Sequence, residues 1–266
     1  MKKLFSLFMA LAALAFAAIP AFAATTTVVT PGNTQGWYSA DTRAGGQINF
    51  VDDATSHYPS GALQLVTDNT NEAKAQYLKN VNTSLSNVTN LSYYTKYVAG
   101  PAIADSTFQV VVYLNGTSGF TTFVYEPYWN GTVNMSGVWQ NWNVNASDAK
   151  LWSSKTVNIG GSCSVVSGVG GPPFYSLDWI RTNCPDAIVL SVGVGVGSYN
   201  PNYNVETDGV VFNDTTYDFE ASAPLVSPTS KDECKHDGWE TFNNPTFTNQ
   251  GQCVSYVQSN DHAGKK

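Results

Sequence analysis

Chemistry in this chain has to come from one aromatic-rich stretch and a few scattered carboxylates. Tyr128, Trp129, Trp139, Trp142 and Trp152 lie close together in the sequence, with Glu126 just before them and Asn130, Asn141 and Asn143 interspersed. Exposed indole and phenol rings stack on the apolar face of a sugar ring, while amides and a carboxylate accept or donate hydrogen bonds to its hydroxyls. Glu126, Tyr128, Trp129, Trp139, Trp142 and Trp152 are therefore the expected ligand-binding residues, and a glycan or cell-envelope component is the expected ligand.

Catalytic chemistry is less well provided for. Glycoside hydrolysis needs two carboxyl groups facing each other across a cleft. Glu126, Asp178, Glu206 and Asp208 are the carboxylates near aromatic segments, and they form no short acidic motif. His57 is the sole histidine before residue 230, and neither G-x-S-x-G, H-E-x-x-H nor a phosphate-binding glycine loop occurs. No catalytic residue is assigned, so a non-catalytic binding protein is expected ahead of a structural or adhesive surface protein, with a glycoside-acting enzyme third. Asp52-Asp53 and Asp68-Asn69-Thr70-Asn71 offer oxygens of the kind calcium prefers, but their spacing also suits ordinary polar turns.

These residues need a frame, and the clearest piece of it is Ser106 to Asn130. Two runs rich in Val, Phe, Thr and Tyr flank Asn115-Gly116-Thr117-Ser118-Gly119, which predicts a β-hairpin. Phe108, Val110, Val112 and Leu114 share one face by the two-residue period, and the other face is also largely apolar, as in a central strand pair. Pro127 cannot donate to a ladder, so it ends the second strand and leaves Glu126, Tyr128 and Trp129 at the rim.

Other short β-prone runs, Thr25 to Val29, Trp37 to Ala40, Gln47 to Val51, Ala62 to Thr67, Ala73 to Leu78 and Leu91 to Tyr97, are separated by turn residues. That spacing predicts an all-β, antiparallel β-sandwich. Gly160 to Pro173 reads as a long loop, and Ser176 to Asn183 as one short helix capped by Ser176. In Ala187 to Gly197 the valines 192, 194 and 196 face the core. Gly193, Gly195 and Gly197 leave the opposite face bare, to be covered by a neighbouring aromatic ring or used as a ligand platform. Val205 to Glu220 predicts a second hairpin turning at Asn213-Asp214. Residues 24–221 thus form the sandwich domain and 222–229 a Pro- and Ser-containing linker. Residues 230–266 form a small tail of two helices, Lys231 to Asp237 and Gln250 to Ser259, stapled by a disulfide.

Cys163, Cys184, Cys234 and Cys253 make two sequence-local pairs. Local pairing closes two loops of about 20 residues, each stabilising by roughly 3 kcal/mol in the loop-entropy model. Residues 1–23 have Lys2 and Lys3, an apolar run from Leu4 to Ile19, and Ala21-Phe22-Ala23, the pattern of an export signal cleaved after Ala23. The expected location is extracellular or periplasmic, with no membrane insertion. Removing Lys2 and Lys3 leaves 11 basic against 20 acidic side chains, a net charge of −9. So acidic a surface repels nucleic acid and anionic lipid.

Three resemblances follow from particular residues. Gly36-Trp37-Tyr38-x-x-Asp41-x-Arg43, Phe123-Val124-Tyr125-Glu126-Pro127-Tyr128, Asp208-Gly209-Val210 and Thr216-Tyr217-Asp218-Phe219-Glu220 resemble an uncharacterised family of secreted bacterial β-sandwich proteins of jelly-roll type. Cys234-x-x-x-Gly238-Trp239-x-x-Phe242 with Phe247-x-Asn249-Gln250-Gly251-x-Cys253-Val254-Ser255-Tyr256 is similar to a cysteine-paired segment appended to exported bacterial proteins. The Val205 to Glu220 hairpin is similar to the last strands of jelly-roll carbohydrate-binding modules. That resemblance implies a concanavalin-like sandwich with no cofactor other than a structural calcium, for which Asp208 is the one ligand that carries across.

Overall fold

The structure, a computed structural model, describes residues 24–101, 103–223 and 225–263, the last four by their backbone alone. The export signal expected over residues 1–23 lies outside the described residues. The chain begins with strands β1 (Thr25–Val29), β2 (Trp37–Ser39), β3 (Gly46–Asp52), β4 (Gly61–Thr67), β5 (Ala75–Ser84) and β6 (Leu91–Ala99). The hairpin β7 (Thr107–Asn115) and β8 (Ser118–Tyr125) follows, then a single helical turn α1 (Pro127–Asn130). Next come β9 (Gln140–Asn143), β10 (Leu151–Ser153), β11 (Val157–Gly160), β12 (Cys163–Val165) and β13 (Phe174–Tyr175), and helix α2 (Leu177–Asn183). β14 (Ile188–Val196), β15 (Asn204–Phe212) and β16 (Thr215–Phe219) complete the sheets, and α3 (Gln250–Ala263) lies in the tail.

Two seven-stranded sheets pack face to face. One has the order β13-β10-β8-β7-β14-β5-β2, which puts the predicted hairpin in its middle; the other runs β1-β16-β15-β4-β3, with β6 and β9 continuing from β15. Pairing within both sheets is antiparallel except for β1 on β16. This is the expected sandwich. Its hairpin loop is tighter than the five residues suggested by composition, since Asn115 already pairs with Ser118 and Gly116 turns at positive φ.

Strand alternation decides what enters the core. Phe108, Val110 and Val112 are fully buried and Leu114 is nearly so, opposite Leu63, Leu65 and Tyr93 of the other sheet's strands. Val192, Val194 and Val196 join them, as their spacing requires. Gly193 and Gly195 lie on the outer side without an aromatic cover: Leu78 and the Gln109 side chain occupy the space a Cβ would need. Ser176 caps α2 by accepting from Trp179 N–H, and the Cys163–Cys184 disulfide ties that helix to β12.

The tail departs from the expected pair of helices. Cys234 and Cys253 are bonded and α3 forms, but Lys231 to Asp237 is a run of turns followed by a 3-10 turn at Gly238–Thr241. Glu233 does accept from Ser230 N–H at 3.4 Å, as a capping box would, and more closely from Thr229 N–H. The segment nevertheless carries mostly charged side chains and Cys234 as its single buried contact, too little apolar face to stabilise so short a helix. His236 and Asp237, both at positive φ, end it.

Candidate functional site

The aromatic residues singled out by their spacing divide among three places. Trp142 is in the core, only 7% exposed; it pairs with Tyr93 across β9 and β6, and its indole N–H donates to Thr95 Oγ1 at 2.8 Å. Trp139 lies on the outer side of that same sheet, where its N–H donates to Asp53 Oδ2 at 2.9 Å and Lys96 sits over its ring. Glu126, Tyr128, Trp129 and Trp152 come together at the far edge of the other sheet, around the end of β8 and α1.

Pro127 makes this last cluster possible. It stops β8, occupies the first position of α1, and swings Tyr128 and Trp129 outward as a tilted pair with ring centroids 5.3 Å apart. Trp129 also meets Phe174 of β13 at 5.2 Å. Trp152 pairs with Val124 on one side and Phe174 on the other. Behind the rings lies the Glu126 carboxyl. Burial raises its pKa, opposed by the polar atoms of Tyr128 and Trp152 that turn toward it. Glu126 Oε2 and Trp152 Nε1 nonetheless each lack a well-aligned hydrogen-bond partner, so their approach is electrostatic rather than a closed bond.

In front of Tyr128 and Trp129 is a cleft of about 550 Å³, lined also by Tyr125, Gly131, Asn143, Ala146, Asp148 and Lys150. Asn130 is its strut: the side-chain amide donates to the Glu126 and Lys150 carbonyls and accepts from Lys150 N–H, so it is spent on the frame. The Asp148 carboxylate and the Lys150 ammonium form no ion pair among the described residues. Burial, with Asp148 nearby, raises the Tyr125 pKa, so the phenol keeps its proton and can donate. Asn143, Asp148 and Lys150 carry no motif. They reach the cleft because β9 pairs with β6 and delivers the following loop to the sandwich edge. The one local signal is the Asn143 side chain accepting from Asn145 N–H, a turn that an Asn-x-Asn spacing allows.

The carboxylates considered for catalysis are dispersed. Asp178 pairs with Arg181 on α2, and Glu206 pairs with Lys96 on the outer side of the other sheet. Asp208 is fully buried there, its oxygens accepting from Phe219 N–H and Ser56 O–H, and burial pushes its pKa up to about 7. Both oxygens that would face a cation already hold donors, and no group of three or more metal-ligating side chains occurs among the described residues. The Asp208 carboxyl, through Ser56, anchors the Asp53–Ser60 segment. Asp53 and Asp68 each accept from a threonine two residues on, which makes both aspartates turn formers. His57 lies on the Tyr94 ring at 4.2 Å.

No protein-family model matches the chain, and neither does any curated protein. Among solved structures it is similar to a family 11 carbohydrate-binding module from Clostridium thermocellum in complex with a β-1,3-1,4-mixed-linked tetrasaccharide, with a TM-score of 0.39 at 13% identity over 70% of this chain and 91% of that one. The family 11 module of a cellulosomal cellulase of Clostridium thermocellum gives 0.40 at 13% identity, over 67% of this chain and 87% of that one. An exo-β-agarase gives 0.34 at 12% identity, over 71% of this chain and 24% of that one. Likeness at these scores decides nothing about the cleft; its own residues must.

Proposed function

We propose that this chain is an exported, non-catalytic glycan-binding sandwich whose ligand enters the cleft between α1 and the Asn143–Lys150 loop. The observation that carries the reading is the pairing of Tyr128 and Trp129 as adjacent, half-buried walls of one cavity whose other side presents Asn143, Asp148 and Lys150. A sugar needs an aromatic face for its CH surface and several polar groups for its hydroxyls. Free Asp148 and Lys150 supply an acceptor and a donor without having to break an existing pair. Two formed disulfides support an oxidising location, and no helix among the described residues is long and apolar enough to cross a membrane.

A glycan array followed by calorimetry tests this. The parent should bind at least one oligosaccharide, and Trp129→Ala should weaken binding at least tenfold, with Asp148→Asn causing a smaller loss. Binding that survives Tyr128→Ala and Trp129→Ala together, in variants with unchanged circular dichroism, would place the ligand elsewhere.

A further inference from the structure

Both walls of the cleft are tied to one backbone atom. The Tyr128 hydroxyl donates to the Gly170 carbonyl oxygen at 3.2 Å, and Trp129 Nε1–H donates to the same oxygen at 2.9 Å. Gly170 belongs to the strap Val166–Pro173 between β12 and β13, which lies across the aromatic cluster. Gly168 is pressed against it so closely that an added Cβ would stand 2.7 Å from Trp152 Cβ, and Gly171 faces the Trp129 ring.

Val169 is the informative residue. Its φ is +40°, a region that β-branched residues rarely enter, yet its side chain is 75% exposed and so gains little from being there. Strain that does nothing for the side chain must serve the backbone. Val169 and Gly170, the latter at φ +83°, turn the chain back over two consecutive residues and bring the Gly170 carbonyl onto the rings.

We infer that the Val166–Pro173 strap is a positioning device, in which the Gly170 carbonyl holds Tyr128 and Trp129 in the orientation that walls the cleft. Its purpose rests on the glycan reading; its geometry does not. Two large side chains fixed before the ligand arrives lose no rotamer freedom on binding, which is how a shallow site gains affinity without added contacts.

Two substitutions push the clamp in opposite directions. A Cβ on Gly170 meets nothing within 4 Å, so Gly170→Ala adds backbone strain without a clash. Val169→Gly relieves strain. Indole N–H exchange is read by NMR on the full chain, with the Trp129 resonance assigned through Trp129→Phe. It should be about tenfold faster in Gly170→Ala, the cost of a left-handed alanine, and several-fold slower in Val169→Gly. Exchange at Trp142, which bonds to Thr95 in the core, should not move. Glycan affinity should follow the same order, weakest in Gly170→Ala. Trp129 exchange that ignores both substitutions overturns the clamp, even if glycan binding is intact. Exchange that shifts as stated in a protein that binds no glycan leaves the clamp standing and removes the glycan reading. Should Gly170→Ala not fold, an absence of slowing in Val169→Gly is enough to reject the inference.

Discussion

Asp105→Asn should flatten the dependence of stability on pH. Asp105 is 4% exposed; its Oδ2 accepts from Thr95 O–H and its Oδ1 from Ser106 N–H, both at 2.7 Å. Thr95 Oγ1 in turn accepts from the Trp142 indole, so three side chains form one buried line. Burial takes the Asp105 carboxyl from its ordinary 3.8 up to about 7, more than the two hydrogen bonds hold it down. The folded protein thus keeps a proton that the unfolded chain gives up near pH 4. This contribution is fully present below pH 4 and lost as pH rises to about 7, on the order of 4 kcal/mol in all as an upper bound. Asparagine imitates the neutral acid, with its amide N–H₂ in place of the acid O–H. At pH 4 and below the variant should match the parent to within about 1 kcal/mol. At pH 8 it should be more stable, raising the melting temperature by on the order of 10 °C at most. Asp208 and Glu220, also pushed up to about 7, keep some pH dependence in the variant. Thermal scans at pH 4, 6 and 8 decide the matter: parallel curves for parent and variant would mean that Asp105 carries no such penalty.

Three further outcomes are expected. Trp142→Phe should cost about 1 kcal/mol in urea unfolding through loss of the bond to Thr95, and should leave glycan affinity unchanged because the ring is in the core. Lys96 bridges Asp53 at 2.7 Å and Glu206 at 3.0 Å, all three side chains being mostly buried, so Lys96→Met should destabilise by about 3 kcal/mol. Adding Asp53→Asn and Glu206→Gln should recover part of that loss, and no recovery would sink the ion-pair account. Replacing Cys163 and Cys184 together by serine opens a link spanning 21 residues and should cost about 3 kcal/mol in a thermal scan.

The frame was legible where local rules suffice. Period-two alternation identified β7, β8 and β14, Pro127 marked the end of β8, and Ser176 marked the start of α2. The aromatic site was legible only in part, since one stretch of sequence feeds the core and two separate surfaces. Trp139 and Trp142 are three apart, an odd spacing that sends strand neighbours to opposite faces; the pairing of Trp142 with Tyr93 then determines which one is inside. Asn143, Asp148 and Lys150 are ordinary polar loop residues until β9 docks on β6. Asp105 gives no sequence signal at all, because its burial depends on Thr95 and Trp142, which come to it through the sheet. In the tail, a capping pattern without an apolar stripe was not enough to make a helix.

The pairing of β1 with β16 has a temporal consequence. Among the described residues, Thr25–Val29 has no strand neighbour other than Thr215–Phe219. A chain that emerges amino-end first must therefore hold Thr25–Val29 unpaired until nearly two hundred further residues have followed. That pair cannot close before β16 is available, and until then a threonine- and valine-rich ribbon is exposed with no charge to deter a stranger from adding to it.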